Sequence, residues 1–136
     1  MSQGRTTILT LGFLLVAILF GGMVLYSCGF AAFIFHVLPS EAAGPIIRRA
    51  FPFFYLFVII SSAISSILIF PFDKISGALL LTIVITTLPT RQLLMPAINR
   101  AKDRGDKNSF KLLHSLSVAV TLSHILLSAW VLLRFI

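Results

Sequence analysis

Four long apolar stretches, separated by shorter polar segments, run along the chain. They cover residues 7–38, 51–70, 75–95 and 112–133. A helix that crosses the hydrocarbon core of a bilayer needs about twenty apolar residues, and each stretch reaches that length. The pattern therefore predicts a single domain over residues 1–136 with four transmembrane helices.

The connections between the predicted helices differ in length and polarity. Residues 71–74 alone separate the second span from the third, which predicts a tight turn. The stretch from Ser40 to the second span predicts either a short surface helix or an extension of that span. Gly105-Asp106 is the expected turn before the fourth span. We expect the overlong first span to tilt, protrude or bend, with Gly21-Gly22 as its weak point, and the third span to be distorted around Pro89.

Composition supports a membrane location for these helices. Of the 136 residues, 58% are hydrophobic and 11% are charged, and the mean hydropathy is +1.05. A soluble domain of this size could not bury so much apolar surface. The expected fold is therefore an all-α, integral membrane four-helix bundle. Cys28 is the only cysteine, so an internal disulfide is excluded.

Basic residues are concentrated on one side of the predicted bundle. The first and third connections, with the helix ends beside them, carry eight of them: Arg48, Arg49, Arg91, Arg100, Lys102, Arg104, Lys107 and Lys111. Cytoplasmic loops of membrane proteins carry an excess of Lys and Arg, so we expect both termini outside (N-out/C-out). The net charge of +7 then reflects lipid headgroup contacts, and nucleic acid is not an expected partner.

The fourth span carries a stripe of polar side chains at helical spacing: His114, Ser117, Thr121, His124 and Ser128. Steps of three and four residues place these side chains on one face of a helix. Membrane helices associate through small residues and interhelical hydrogen bonds. We therefore expect the stripe to face the bundle interior, with Gly22, Gly29, Ser61 and Ser65 packing on the other helices. A hydroxyl from a neighbouring helix is the expected partner of His124.

The histidines also suggest an alternative chemistry. Ionisable residues within spans are rare, and neutral imidazole binds haem iron, copper or zinc. His36, His114 and His124 are therefore candidate ligands for haem or copper, although no cofactor is the simpler expectation. No carboxylate lies within a span to orient a histidine as a catalytic base, so we predict no catalytic residues and no enzyme activity. Arg91 could pair with Glu41.

Several segments resemble a known family. They are FGGMVLYSCGFAAFIFHVLP, the Phe51-Pro52 entry, the stretch with Arg91, Pro96 and Asn99, and the pattern Phe110–His114–Ser117. Together they are similar to the bacterial membrane family of unknown function related to transmembrane protein 205 (DUF4149-type). The resemblance implies four membrane spans and a multi-pass protein of the bacterial inner membrane. The eukaryotic relatives are loosely associated with drug and metal resistance.

The sequence is compatible with three functions and favours the first of them. The first is an accessory or structural subunit that packs in a membrane protein complex, or that forms a homo-oligomer within the lipid bilayer. The second is transport of, or resistance to, a small solute or metal ion. The third is haem or copper binding through His36, His114 or His124.

Overall fold

The computed structural model describes residues 2–136, which form four long helices joined by short turns. The helices are α1 (Ser2–Val37), α2 (Ser40–Ile69), α3 (Lys74–Asp103) and α4 (Lys107–Leu133). All four are long and apolar enough to cross a membrane, and residues 2–136 contain no strand. The predicted all-α fold with four spans is confirmed.

The helices extend further at their polar ends than the apolar stretches do. The residues after Ser40 extend α2 and do not form a separate surface helix. Pro39 has extended backbone (ψ 153°), and one continuous helix begins at the next residue, Ser40. Most of the polar segment before the fourth span continues α3 to Asp103. The turn that follows is tight, since Gly105 adopts a φ of +69° that glycine tolerates without strain.

Each helix packs against its sequence neighbours, so the bundle is an up-down-up-down square. α2 packs most extensively against α1 and α3, and α4 completes the square against α1 and α3. One end of the bundle, the terminal end, carries both chain termini and the α2–α3 turn. The other end carries the α1–α2 and α3–α4 turns together with most basic residues, and we name it the basic end.

The interior of the bundle is about half polar. Buried apolar side chains such as Leu19, Val58 and Ile83 alternate with buried hydroxyls such as Ser62, Ser65 and Thr87. Most of these hydroxyls donate to a carbonyl one turn back on their own helix, and this satisfies them without water. Small hydroxylated residues therefore let the helices approach closely without leaving buried hydroxyl groups unbonded.

Two of the helices contain a π-helical turn. One covers Leu25–Phe30 in α1 and the other covers Thr90–Leu94 in α3. The second begins directly after Pro89, where a distortion is expected because proline cannot donate a backbone hydrogen bond. Gly21-Gly22, the expected weak point of α1, lies in regular α-helix, and the irregular turn begins three residues after this pair, at Leu25. Gly22 instead packs against α2, where the Phe57 ring fills the space in front of it.

A helix cap and an ion pair, both formed by Asp73, link the helices at the terminal end. Asp73 caps the N-terminus of α3 by accepting from the backbone N–H groups of Ile75 and Ser76, and its carboxylate forms an ion pair with Arg134, 3.1 Å away. Arg134 follows α4, so the pair ties the end of α4 to the start of α3. Partial burial raises the pKa of Asp73, but hydrogen bonds from Ser76 and Arg134, with the charge of Arg134, outweigh it and lower the pKa to about 2.

The low pKa of Asp73 predicts an acid-sensitive stability. A carboxyl with a pKa of about 2 in the folded protein and about 3.9 when unfolded stabilises fully above about pH 4 and loses its contribution as pH falls towards 2. Asp73→Asn keeps a capping oxygen but removes the charge. We expect wild type to unfold at higher temperature than Asp73→Asn at about pH 6, and this advantage to shrink below about pH 4. Circular dichroism in mild detergent measures it, and an advantage unchanged near pH 2.5 would contradict the assignment.

Candidate functional site

A cavity of about 880 Å³ lies at the basic end. All four helices contribute to its lining: Ala32 and Phe35 from α1, Arg49 from α2, Lys102 from α3, and a face of α4 that includes His114, Ser117 and Thr121. Charged groups line it near the helix ends, whereas hydroxyl and apolar side chains line it deeper in the bundle. The cavity therefore joins a polar and an apolar environment.

The cavity exists because the second half of α1 leaves the bundle. No residue of Leu25–Val37 is buried, whereas the first part of the helix buries Val16, Leu19 and Met23. α4 packs mainly against that first part, Ser2–Val24. The π turn marks the change, because its extra residue rotates the helix face and ends the regular packing. A cleft between α1 and α4 therefore widens towards the basic end.

Two side chains from the π turns hydrogen-bond to the backbone of α2. The Tyr26 hydroxyl donates to the Ala50 carbonyl at 2.9 Å, and Arg91 Nε donates to the Pro52 carbonyl at 3.3 Å. The expected contact between Arg91 and Glu41 is therefore wrong. Tyr26 also stacks on Phe54, with ring centroids 5.1 Å apart. Phe51, which lines the cavity, packs edge-on against Tyr26 with ring centroids 5.7 Å apart, so these contacts support one wall of the cavity.

The charged rim contains both paired and unpaired cations. Arg48 of α2 forms a two-pronged ion pair with Asp103 of α3, at 2.9 and 3.3 Å. Lys102 Nζ lies 5.1 Å from the centroid of the Phe110 ring. Within residues 2–136 neither Lys102 nor Arg49 has a carboxylate partner. The Glu41 carboxylate also lines the cavity, so the rim carries an excess of one positive charge.

The polar stripe of α4 divides between the cavity and the bundle interior. Ser117, Thr121, His124 and Ser128 are buried. His114 is exposed at the cavity, with its ring stacked on Phe110 at 5.5 Å, and this departs from the expected interior position. The cleft beside the π turn explains the difference, because it opens the bundle at the depth of His114.

Thr121 differs from the other buried hydroxyls of α4. Ser117 and Ser128 donate to carbonyls of their own helix. Thr121 is only 9% exposed and lines the cavity, yet its hydroxyl makes no hydrogen bond to any other part of the described chain. Within residues 2–136 no fully buried side-chain oxygen lacks a partner, so the Thr121 hydroxyl is open to the cavity, where it can bond a molecule held there.

His124 lies outside the cavity and holds α4 against α3. Its Nε2 atom lies 2.7 Å from the Thr86 hydroxyl oxygen. The Thr86 hydroxyl itself donates to the Thr82 carbonyl at 2.7 Å, so its single proton is committed. His124 Nε2 must therefore carry a proton and donate it to Thr86. The pair is an interhelical hydrogen bond between side chains.

The three histidines do not form a shared site. His36 is exposed on α1 and does not line the cavity, whereas His114 lines it and His124 is bonded to Thr86. Across residues 2–136, no three side chains of the His, Cys, Asp and Glu types are grouped so that they could hold a metal ion.

Some of the residues expected to pack the helices against one another lie in the bundle, whereas Gly29 does not. Gly22 contacts Phe57 of α2, and Ser65 is buried and donates to the Ser61 carbonyl. Gly29 is exposed, and a Cβ there would meet only Leu25 of its own helix. Gly29 therefore packs against no neighbouring helix, because the π turn carries it away from the bundle.

The remaining basic residues surround the cavity without lining it. Arg100, Arg104, Lys107 and Lys111 are exposed at the basic end. Sequence reasoning did not single out Tyr26, Tyr55 or Asn99 as site residues. Tyr26 acts through the Ala50 carbonyl, 24 residues away along the chain, and spacing within one helix gives no signal for such a contact.

Comparisons with known proteins place the chain in one family. No curated protein and no solved structure matches it. The family model described as "Domain of unknown function (DUF4149)" matches residues 14–107. This range includes the two π turns, the cavity walls from α1, α2 and α3, and the α3–α4 turn. The chain therefore belongs to the DUF4149 family.

Proposed function

We propose that this protein is a binding protein and not an enzyme, and that it holds a small amphiphilic molecule in the basic-end cavity. Among the three functions expected from the sequence, this is a form of small-solute handling. The observation that carries it is the shape of the cavity, which has unpaired cations at its rim and an apolar, hydroxyl-bearing wall within the bundle. A molecule with an anionic end and an apolar body is complementary to both parts.

Charge distribution supports an orientation for the proposed site. The basic end carries the eight basic residues identified in the sequence, and cytoplasmic ends are enriched in such residues. We infer that the cavity opens at the cytoplasmic leaflet of a bacterial inner membrane, with both termini outside. Alkaline phosphatase fused after Ile136 would then be active, and an inactive fusion would contradict this orientation.

Blocking the cavity tests the proposed function. Ala32 is exposed on α1 and lines the cavity, whereas the adjacent Phe33 is exposed but lies outside the lining. We expect Ala32→Trp to reduce the amount of bound amphiphile about tenfold, because the indole would occupy its volume. Phe33→Trp should leave it unchanged. Mass spectrometry of small molecules extracted from protein purified in gentle detergent measures the amount. Equal recovery from both variants, or no bound amphiphile in wild type, would contradict the proposal.

An accessory role in a membrane complex is the second candidate. A separate apolar groove of about 450 Å³ lies between α1 and α2 and is lined largely by aromatic side chains, including Tyr26, Phe30, Phe53 and Phe57. Phe53 is 72% exposed there. A partner helix could pack its small residues against this groove. The same purification tests this role, since a protein that is always recovered without a partner would contradict it.

A further inference from the structure

The cleft that leads to the cavity opens sideways between α1 and α4. Apolar residues that line the cavity stand exposed on both sides of the opening: Phe35 (55%) on α1, and Val118 (43%) and Leu122 (50%) on α4. In four helices that cross a membrane, exposed apolar side chains at this depth contact lipid. A molecule could therefore enter the cavity directly from the bilayer.

The rim provides the charge that selects such a molecule. Arg48 is neutralised by Asp103, which leaves Arg49 and Lys102 as the free cations of the lining. Basic pockets between helices at the cytoplasmic side favour anionic lipid headgroups. Glu41 on the same rim would repel a second negative charge, so a headgroup with a single phosphate is the best match.

The deeper wall suits an acyl chain with a polar linkage. The α4 part of the lining runs from Phe110 to Leu122, which corresponds to about 18 Å along a helix. Its surface alternates between aromatic, apolar and hydroxyl groups. The Thr121 hydroxyl, which is open to the cavity and makes no hydrogen bond within residues 2–136, can donate to an ester carbonyl that enters with the chain.

We propose that the occupant of the cavity is an anionic phospholipid from the leaflet at the basic end. Its phosphate lies between Arg49 and Lys102, and one acyl chain extends through the α1–α4 cleft towards Thr121. This inference rests on the proposed function and names the class of amphiphile that the cavity holds.

The test uses purified full-length protein in nanodiscs of phosphatidylcholine that contain a minor fraction of phosphatidylglycerol. Native mass spectrometry counts the lipids retained after release from the nanodisc. We expect one phosphatidylglycerol per chain in preference to phosphatidylcholine. Arg49→Gln combined with Lys102→Gln should reduce that retention about tenfold, since two phosphate contacts are lost. Lys107→Gln combined with Lys111→Gln removes the same charge from exposed positions outside the cavity and should retain the lipid.

Three outcomes would overturn the inference. They are equal retention of both lipids by wild type, equal losses in the two double variants, and displacement of the lipid by soluble glycerol phosphate alone. If Ala32→Trp still prevents binding of another amphiphile in these cases, the proposed function stands and only the phospholipid is wrong. If Ala32→Trp has no effect on any bound molecule, the proposed function fails as well.

Discussion

Gly77→Ala is expected to destabilise the protein more than any other single methyl addition at a glycine. A Cβ at this position would lie 2.7 Å from the Phe70 Cα and 2.6 Å from Phe70 Cδ2. The ring can rotate away, but the Cα belongs to the backbone at the end of α2. The start of α3 must therefore move, and this strains the hydrogen bond from the Ser66 hydroxyl to the Gly77 carbonyl. We expect a loss of about 3 kcal/mol, near the upper end of overpacking costs.

The matched control for Gly77→Ala is Gly21→Ala. No atom lies within 4 Å of a Cβ at Gly21, so this variant should change the free energy of unfolding by less than about 1 kcal/mol. Unfolding in mixed micelles with increasing SDS, followed by circular dichroism, compares the two. Similar midpoints for both variants would show that the α2–α3 approach is not close. Phe70→Ala in the Gly77→Ala background should give only partial recovery, because it leaves the backbone atom in place.

Thr86→Val is expected to have the second largest effect. It replaces the acceptor of the His124 Nε2–H group with a methyl group of similar shape. The imidazole is 5% exposed, so its N–H would remain buried without a partner, and this costs about 2 kcal/mol. Thr86→Ser retains the hydroxyl and should stay close to wild type.

A neighbouring threonine supplies the control for this pair. Thr82 is exposed and its hydroxyl donates only to Ala78 of its own helix, so Thr82→Val should cost well under about 1 kcal/mol. In a double-mutant cycle of Thr86→Val with His124→Leu, we expect a coupling of about 1–2 kcal/mol, at the high end for interhelical hydrogen bonds. The same SDS unfolding measures it, and additive effects would mean that the two residues do not interact.

The number of helices and their type follow directly from hydropathy. Each apolar run is long enough for one span, and a helix satisfies the backbone hydrogen bonds of each run within its own segment. The ends of the helices were less predictable. Residues 96–103 continue α3 beyond its apolar stretch, because a helix needs no apolar face once it leaves the hydrocarbon.

The candidate site shows where sequence periodicity stops being informative. Spacing of three and four residues placed Ser117, Thr121 and His124 on one face of α4. It could not show that His114 of the same stripe would be exposed, because that depends on where α1 leaves the bundle. The change in α1 is a π turn, and its six residues, Leu25–Phe30, show no periodicity that distinguishes them from regular helix.

The π turn of α1 also determines which side chains form one wall of the cavity. Such a turn accommodates one more residue than regular α-helix would. If the same sequence ran through this segment as regular α-helix, everything after it would be rotated by about 100° about the helix axis, and Ala32 and Phe35 would face elsewhere. Deleting a single residue between Leu25 and Phe30 would instead remove the need for the turn and leave Ala32 and Phe35 facing as they do now. The shape of the cavity therefore tolerates the loss of one residue at the turn better than a substitution that forces regular helix through its full length.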